Sequence, residues 1–485
     1  MAYNHQIKTQ ELETQIIAPV SGTAGLQVVF GTAPVNMTKN PAAAVNVPII
    51  AHSFTEAVEK LGYSEDFEKY TLCQSMDASF RVFAVAPVIF VNVLDPAKHK
   101  KEFTSEQISV VAKTAVVKEE GILLDTIQVT DQDSSTLSKG TDYVLAFNGD
   151  GHVVVTLLTT SKTTSVTAVK VTGTELDPTA VNASDVVGGV DALTGKETGL
   201  ELVRQIYPKL GVVPGILLAP GWAQETSVAA VLKSKTQEIN GLFTCECVTD
   251  IDTKTSNGKQ YSKLMDAKTE LAIQSEDAIL CWPKIRTGAK TYFYSSIWAA
   301  MTAYTDAQHG DIPYKSPSNE LIGASAAVLA DGTEVNLDVN QAALVNSYGI
   351  VTAINDQGWK AWGNNTSIYP GVSDVKDRWI ACRRMMSWYR NHFILMYKEK
   401  VDDPTDYRLI ESVVDSENIY LNSLTATGAI AGGKIEFSEE ENPITQILAG
   451  KIVFHTKIAF WTPAEFILNR IEFDPTILKR ALRGE

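Results

Sequence analysis

The stretch KIVFHTKIAFWTPAEFILNRIEFDP, residues 451–475, carries two runs of alternating polarity separated by Pro463 and its neighbours. Alternation at period two reads as half-buried strand. Only ten residues follow, so little of the chain remains to pair with these runs. An open strand edge invites association and is usually covered. Either both runs fold back into an interior sheet, or their partner is another chain.

The 485 residues allow about three domains of roughly 150 residues, each with its own core. The net charge of -15 argues against direct wrapping of nucleic acid, which relies on Lys and Arg neutralising phosphates. It also makes copies repel at a distance, so self-association has to be specific and salt-sensitive. The N-terminal MAYNHQIKTQELETQ lacks a basic patch followed by an apolar core, and no signal peptide is expected. The apolar stretch RVFAVAPVIFVNVL, residues 81–94, is shorter than the ~20 residues a bilayer-spanning helix needs. Its β-branched residues suit a buried strand. The expectation is a soluble protein made in the cytoplasm, with no membrane insertion. Five cysteines at scattered spacing form no disulfide framework. Cys245-x-Cys247 reads as two small buried thiols on one strand face rather than a metal pair.

Residues 1–18 are polar with sparse apolar positions, Ile7, Leu12, Ile16 and Ile17, and read as an arm ordered by pairing elsewhere. From 20 to 96 the pattern is α/β. Within it SFTEAVEKLG has Ser53 to cap a helix, Glu56 at capping-box spacing and Gly62 to end it. Between 105 and 190 Val and Thr dominate and turn signals recur. VLAFNGDGHVVVTLL there is a hairpin signal, and the segment reads as a small all-β domain inserted into the α/β one. The α/β pattern resumes from 195 to about 340. Beyond it, VKDRWIACRRMMSWYRNHFILMYKEK predicts one long helix and 406–424 another. KIEFSEE predicts a strand, followed by a short helix and the closing strands.

Sites for chemistry are poorly supported. Gly189 to Gly195-Lys196 superficially matches a phosphate loop, but the glycine spacing is one residue too long. Glu197 also stands where Mg²⁺ coordination wants Ser or Thr. Asp131-x-Asp133-x-Ser135 with Asp142 has a calcium-loop pattern, but Thr136 occupies the place of the turn glycine, so a polar hairpin loop is the simpler reading. The seven histidines are scattered, with no H-E-x-x-H pair and no G-x-S-x-G elbow. Arg383, Arg384 and Arg390 form either a solvated helix face or a positive patch that meets an acidic neighbour such as SEEEN, residues 438–442. Trp359 and Trp362 read as core packing. No catalytic residue, cofactor site or metal site is assigned, and no enzyme is expected. Unpaired ends without a reactive centre point to an assembly protein.

An ordered series of segments resembles the tail sheath proteins of contractile bacteriophages, R-type bacteriocins and related injection machines. The segments are SGTAGLQVVFGTAP, VPIIAHSFTEAVEKLG, LVRQIYPKLGVVPGILLAPGW, AILCWPKI, GIVTAINDQGWKAWGNNTS and GKIVFHTKIAFWTPAEFILNRIEF. They span nearly the whole chain except 105–190. The resemblance implies an α/β and α+β multidomain fold. An N-terminal arm covers 1–20, an α/β middle domain 21–104 and 191–340, and an inserted β-rich outer domain 105–190. A C-terminal α+β sheath domain covers 341–463 and a C-terminal arm 464–485. It also implies that the arms cross to neighbouring subunits and complete their sheets. Ile7, Ile16 and Ile17 are then interface positions at one end, and Phe466, Ile467, Leu468, Ile471 and Phe473 at the other. Ile467, Ile471 and Phe473 share one face of the last run, while Phe466 and Leu468 begin the other. The implied partners are further copies in a helical polymer of stacked hexameric rings, an inner tail tube protein, and baseplate and tail terminator proteins. The implied location is the virion tail, assembled in the host bacterial cytoplasm. The alternatives are the sheath of a bacteriocin or cellular injection system, and more remotely an α/β enzyme acting near PGILLAPGW. A surface adhesin built on the 105–190 insert is disfavoured by the missing signal peptide.

Overall fold

Short apolar runs bounded by turns build the central sheet of the computed structural model, which describes residues 20, 21, 23–149 and 151–483. The strands are β1 (Gln27–Gly31), β2 (Ile49–Ala51), β3 (Val88–Asn92) and β4 (Ile216–Leu218). They continue with β5 (Glu246–Asp250), β6 (Ala278–Cys281), β7 (Ile350–Asn355) and β8 (Trp359–Trp362). Their order is β8-β7-β6-β5-β4-β1-β3-β2. The six inner strands are parallel, and β8 and β2 close the two edges antiparallel. Parallel strands are covered on both faces, which explains their unbroken apolar runs.

Helix α1 (Phe54–Leu61) follows its capping signals. The Glu56 N–H donates to Ser53 Oγ at 3.2 Å, and Gly62 ends the helix at φ 76°. A Cβ at Gly62 would lie 2.2 Å from the Pro34 carbonyl oxygen, so the position needs glycine for space as well as for backbone angle. Helix α2 (Tyr294–Gln308) is buried along most of its length against the central sheet.

A second core is confined to residues Phe103 to Val171. The hairpin signal forms there, with Tyr143–Phe147 antiparallel to Val153–Leu157. The calcium-like pattern closes its own turn: the Asp131 carboxylate accepts the N–H groups of Asp133 at 2.9 Å and Ser135 at 2.8 Å. Asp191 does the same for Leu193 and Thr194 in the glycine loop before Lys196. Val181 and Val186 pack into the first core instead.

A third core joins α3 (Ile380–Tyr397), α4 (Tyr407–Ala426) and the antiparallel pair β9 (Gly432–Glu436) and β10 (His455–Ala459). The single long helix expected from 375 breaks at Trp379, which adopts φ -85° and ψ 123°. A strand-like bridge from Trp379 to Asn365 competes with the helix there, and the Ile380 N–H donates to the Asn364 carbonyl at 2.8 Å. The closing segment also differs from expectation. Its first run is strand only over β10, and 464–473 pairs with no strand among the described residues. Helix α5 (Pro475–Ala481) follows, with the Thr476 N–H donating to the Asp474 carboxylate at 2.8 Å.

Candidate assembly interface

Helices α3 and α4 pack through Met385, Tyr389, Leu421 and Leu424, and the β9–β10 pair lies on them through Ile435 and Ile458, with Ile430 from the turn before β9. One carboxylate is buried in this small core. Glu417 accepts the Tyr397 hydroxyl at 2.9 Å and lies 3.7 Å from His392 Nε2. The His392 ring stacks on Tyr420 at 3.9 Å. Burial alone would raise the Glu417 carboxyl, but the neighbouring His392 ring and the hydrogen bond from Tyr397 outweigh it and hold the group below its ordinary value.

Three asparagine side chains each bond both the N–H and the carbonyl of one backbone residue. The Ile435 N–H donates to Asn418 Oδ1 at 3.0 Å, and Asn418 Nδ2 returns a bond to the Ile435 carbonyl at 3.0 Å. Asn442 treats Val453 likewise, at 2.7 and 2.8 Å. Asn391 treats Thr244 so, at 3.0 and 2.6 Å. Each amide satisfies a backbone donor and acceptor that would otherwise lack partners. Asn418 thereby covers the outer side of β9 at its fourth residue, Ile435. Sequence reading missed all three; for Asn391 and Asn418 the only signal was asparagine within helix-forming stretches, where it is disfavoured without a specific role, and Asn442 lies in the turn before Pro443.

Arg383 and Arg384 face inward, which corrects the solvated-face reading of the pair; each meets an acidic side chain, though not one in SEEEN. The Arg383 Nε donates to Asp277 at 2.7 Å, and Arg384 makes a two-pronged contact with Asp306, one prong at 2.9 Å and the other shorter. Neither side chain is left to form a solvated face or to reach SEEEN. Burial opposes the charged form of Arg384, and the Asp306 carboxylate more than offsets it, so the guanidinium titrates above its ordinary value. Arg390 is exposed. Nearby, burial pushes the Glu246 carboxyl up to about 7, with Arg384 and Ser387 opposing part of that shift. Glu246, Arg384, Ser387 and Asn391 line a cavity of about 330 Å³ between the amino end of β5 and α3.

Past β10 the chain loses regular structure but not contact. The Trp461 indole donates to the Gly428 carbonyl at 3.0 Å, and Glu465 accepts from Arg378 at 2.9 Å. Then Phe466, Ile467, Leu468, Ile471 and Phe473 all project into solvent, 62–88% exposed. Isolated exposed apolar residues are ordinary, whereas five within eight positions form a concentrated exposed apolar stretch. The five C-terminal interface candidates thus lie on one exposed stretch that pairs with no strand among the described residues; Ile7, Ile16 and Ile17 lie outside those residues. Among the described residues no group of three or more His, Cys, Asp or Glu side chains could hold a metal ion. No helix among them is long and apolar enough to cross a membrane.

No protein-family model matches the chain. It is 27% identical over 484 residues to the tail sheath protein of Burkholderia phage BcepMu, covering 97% of this chain and 96% of that protein. It is 26% identical over 282 residues to the tail sheath protein of Escherichia phage P2, covering 56% of this chain and 66% of that one. The fold resembles the anti-feeding prophage helical sheath in its contracted state, with a TM-score of 0.57 and 16% identity, covering 98% of this chain and all of that one.

Proposed function

Because the chain belongs to the contractile tail sheath family, we propose that it is the structural subunit of a contractile tail sheath. The observation that carries this is the collinear similarity to a phage tail sheath protein along nearly the whole of both chains. The role is mechanical, not catalytic. Copies surround an inner tail tube as stacked hexameric rings in an extended helix, anchored at a baseplate and closed by a terminator protein. Contraction drives the tube through the host envelope. The subunit is made in the host cytoplasm and resides in the tail.

The five exposed apolar residues of the C-terminal arm support a strand-exchange reading. An arm laid against a neighbour's sheet gains main-chain hydrogen bonds, while alternate side chains enter pockets. Contacts of this head-to-tail kind do not close on themselves, so they generate helices. Subunits that move as near-rigid bodies while their arms stay engaged give a bistable lattice. The domain limits given above, with an outward-facing insert, belong to the same proposal. A sheath of an injection system is the second reading, favoured by the likeness to the anti-feeding prophage sheath. Capsid genes beside the coding sequence distinguish the two.

Negative-stain microscopy and sedimentation velocity of the purified chain test the class. Tubes or striated cylinders are expected. A monomer at every concentration, or catalytic turnover, would reject it.

A further inference from the structure

The C-terminal arm has a held root and a free limb, and the boundary falls at Glu465. Upstream, Trp461 is fixed by its indole bond to Gly428 and by Cys382 Sγ, 3.5 Å from the Trp461 carbonyl oxygen. Glu465 accepts from Arg378 Nη2 at 2.9 Å. Arg378 is itself held from other directions. Its Nε donates to Asn365 at 2.8 Å, and its guanidinium lies 4.3 Å from the centre of the Tyr369 ring and 4.0 Å from that of Trp379. A guanidinium ordered before its carboxylate arrives loses little further freedom on pairing. From Phe466 onward the apolar side chains are exposed.

We propose that Arg378 is a positioning residue for assembly. By holding Glu465 it fixes where the arm leaves its own subunit, and therefore the reach of the segment that engages a neighbouring copy. This rests on the strand-exchange reading. With the clamp closed, the free limb from Phe466 to Phe473 is eight residues, which span about 26 Å when extended. With it open, the limb starts after Trp461 and is twelve residues long, about 40 Å. Effective concentration falls roughly as the -3/2 power of tether length, so opening the clamp weakens each arm contact about twofold. The side chains of Arg378 and Glu465 are 22% and 37% exposed. A pair that wet contributes little to the stability of the lone subunit, which separates positioning from folding.

The test uses the full chain and reads two quantities, the critical concentration for polymer by sedimentation and the thermal midpoint of the dispersed subunit. Glu465→Gln and Glu465→Arg leave the Arg378 contacts to Asn365, Tyr369 and Trp379 available. Both are expected to raise the critical concentration about twofold or more with the midpoint unmoved. Combining Glu465→Arg with Arg378→Glu is expected to restore it. An unchanged critical concentration in Glu465→Arg, or no recovery in the swapped pair, overturns the clamp. Truncation after Thr462 separates the two ideas. Polymer from the truncated chain rejects strand exchange itself, whereas loss of polymer there with indifference to Glu465→Arg rejects the clamp alone.

Discussion

Arg384 and Asp306 meet two-pronged at the centre of the molecule, both fully buried. Asp306 lies in the last turn of α2, where a negative charge opposes the helix dipole and needs a cation. Arg384 supplies it from α3, 78 positions further along the chain. The N-terminal segment threads past the same pair: a Cβ at Gly25 would lie 2.7 Å from Ala303 Cα and 2.9 Å from Asp306 Oδ2. Asp311 then accepts the N–H groups of Thr23 at 2.7 Å and Ala24 at 2.8 Å. One ion pair and one carboxylate therefore join three distant stretches of chain.

Breaking that pair is expected to be costly. Asp306→Ala leaves a buried guanidinium without its counter-ion, and losses of this kind run to about 3–5 kcal/mol. Replacing both partners, Asp306→Leu with Arg384→Met, removes both desolvation costs and is expected to recover more than half of the loss. Urea denaturation of the dispersed subunit measures both. A single variant within about 1 kcal/mol of the parent would show that the pair is not needed to hold the units together.

Glu246 gives a pH signature. Its carboxyl is raised from 4.5 to about 7, chiefly by burial. Between those values the folded protein holds a proton that the unfolded chain has released, so stability falls as pH rises through this window and levels off above it. The span corresponds to roughly 3 kcal/mol from this one group. Glu246→Gln is expected to match the parent near pH 5 and exceed it at pH 8 in thermal midpoint. Parallel profiles for the two proteins across that range would reject the assignment.

Local signals in the sequence were legible wherever their partners lay nearby. Ser53, Glu56 and Gly62 announced α1, and Gly149 and Gly151 the hairpin between Phe147 and Val153. What escaped depends on residues far apart in sequence. Arg383 and Arg384 look like surface residues until Asp277 and Asp306 are brought beside them, 106 and 78 positions away. The break at Trp379 follows from a bridge to Asn365 that no helical period encodes. Asn391, Asn418 and Asn442 carry no pattern of their own, because each answers to one backbone site. The exposed apolar run in the arm was legible as residues, while its lack of a strand partner among the described residues appears only in the structure.

The inserted unit is expected to be separable. Lys101 and Glu175 face each other on adjacent antiparallel strands and form an ion pair at 3.1 Å. The second core lies wholly between those two residues. Excising 102–174 and joining Lys101 to Glu175 through Asn-Gly keeps Val181 and Val186 in the first core. The excision forfeits the packing of Leu123 against that core and the bond from Asn36 to the Ile122 carbonyl. These losses amount to about 1–3 kcal/mol. A soluble, cooperatively unfolding product that still polymerises is the expected result by circular dichroism and sedimentation. An insoluble or non-cooperative product would show that the two cores fold as one.

The C-terminal arm is expected to serve assembly and not folding. Truncation after Thr462 removes Phe466, Ile467, Leu468, Ile471 and Phe473, which are exposed in the lone subunit, and leaves the third core intact. Ile471→Asp with Phe473→Asp leaves the arm in place but puts charge where a neighbour's sheet would receive apolar contact. Burying each such side chain gives roughly 1.5–3 kcal/mol. The two substitutions together therefore forfeit about 3–6 kcal/mol at every arm contact, before the cost of desolvating the new carboxylates. Each contact recurs along a polymer, so neither variant is expected to form long tubes at concentrations where the parent does. Both are expected to keep the parent's circular dichroism and thermal midpoint. Ordered tubes from the truncated chain would reject arm exchange, and an unfolded aggregate would show that the closing segment belongs to the subunit's own core.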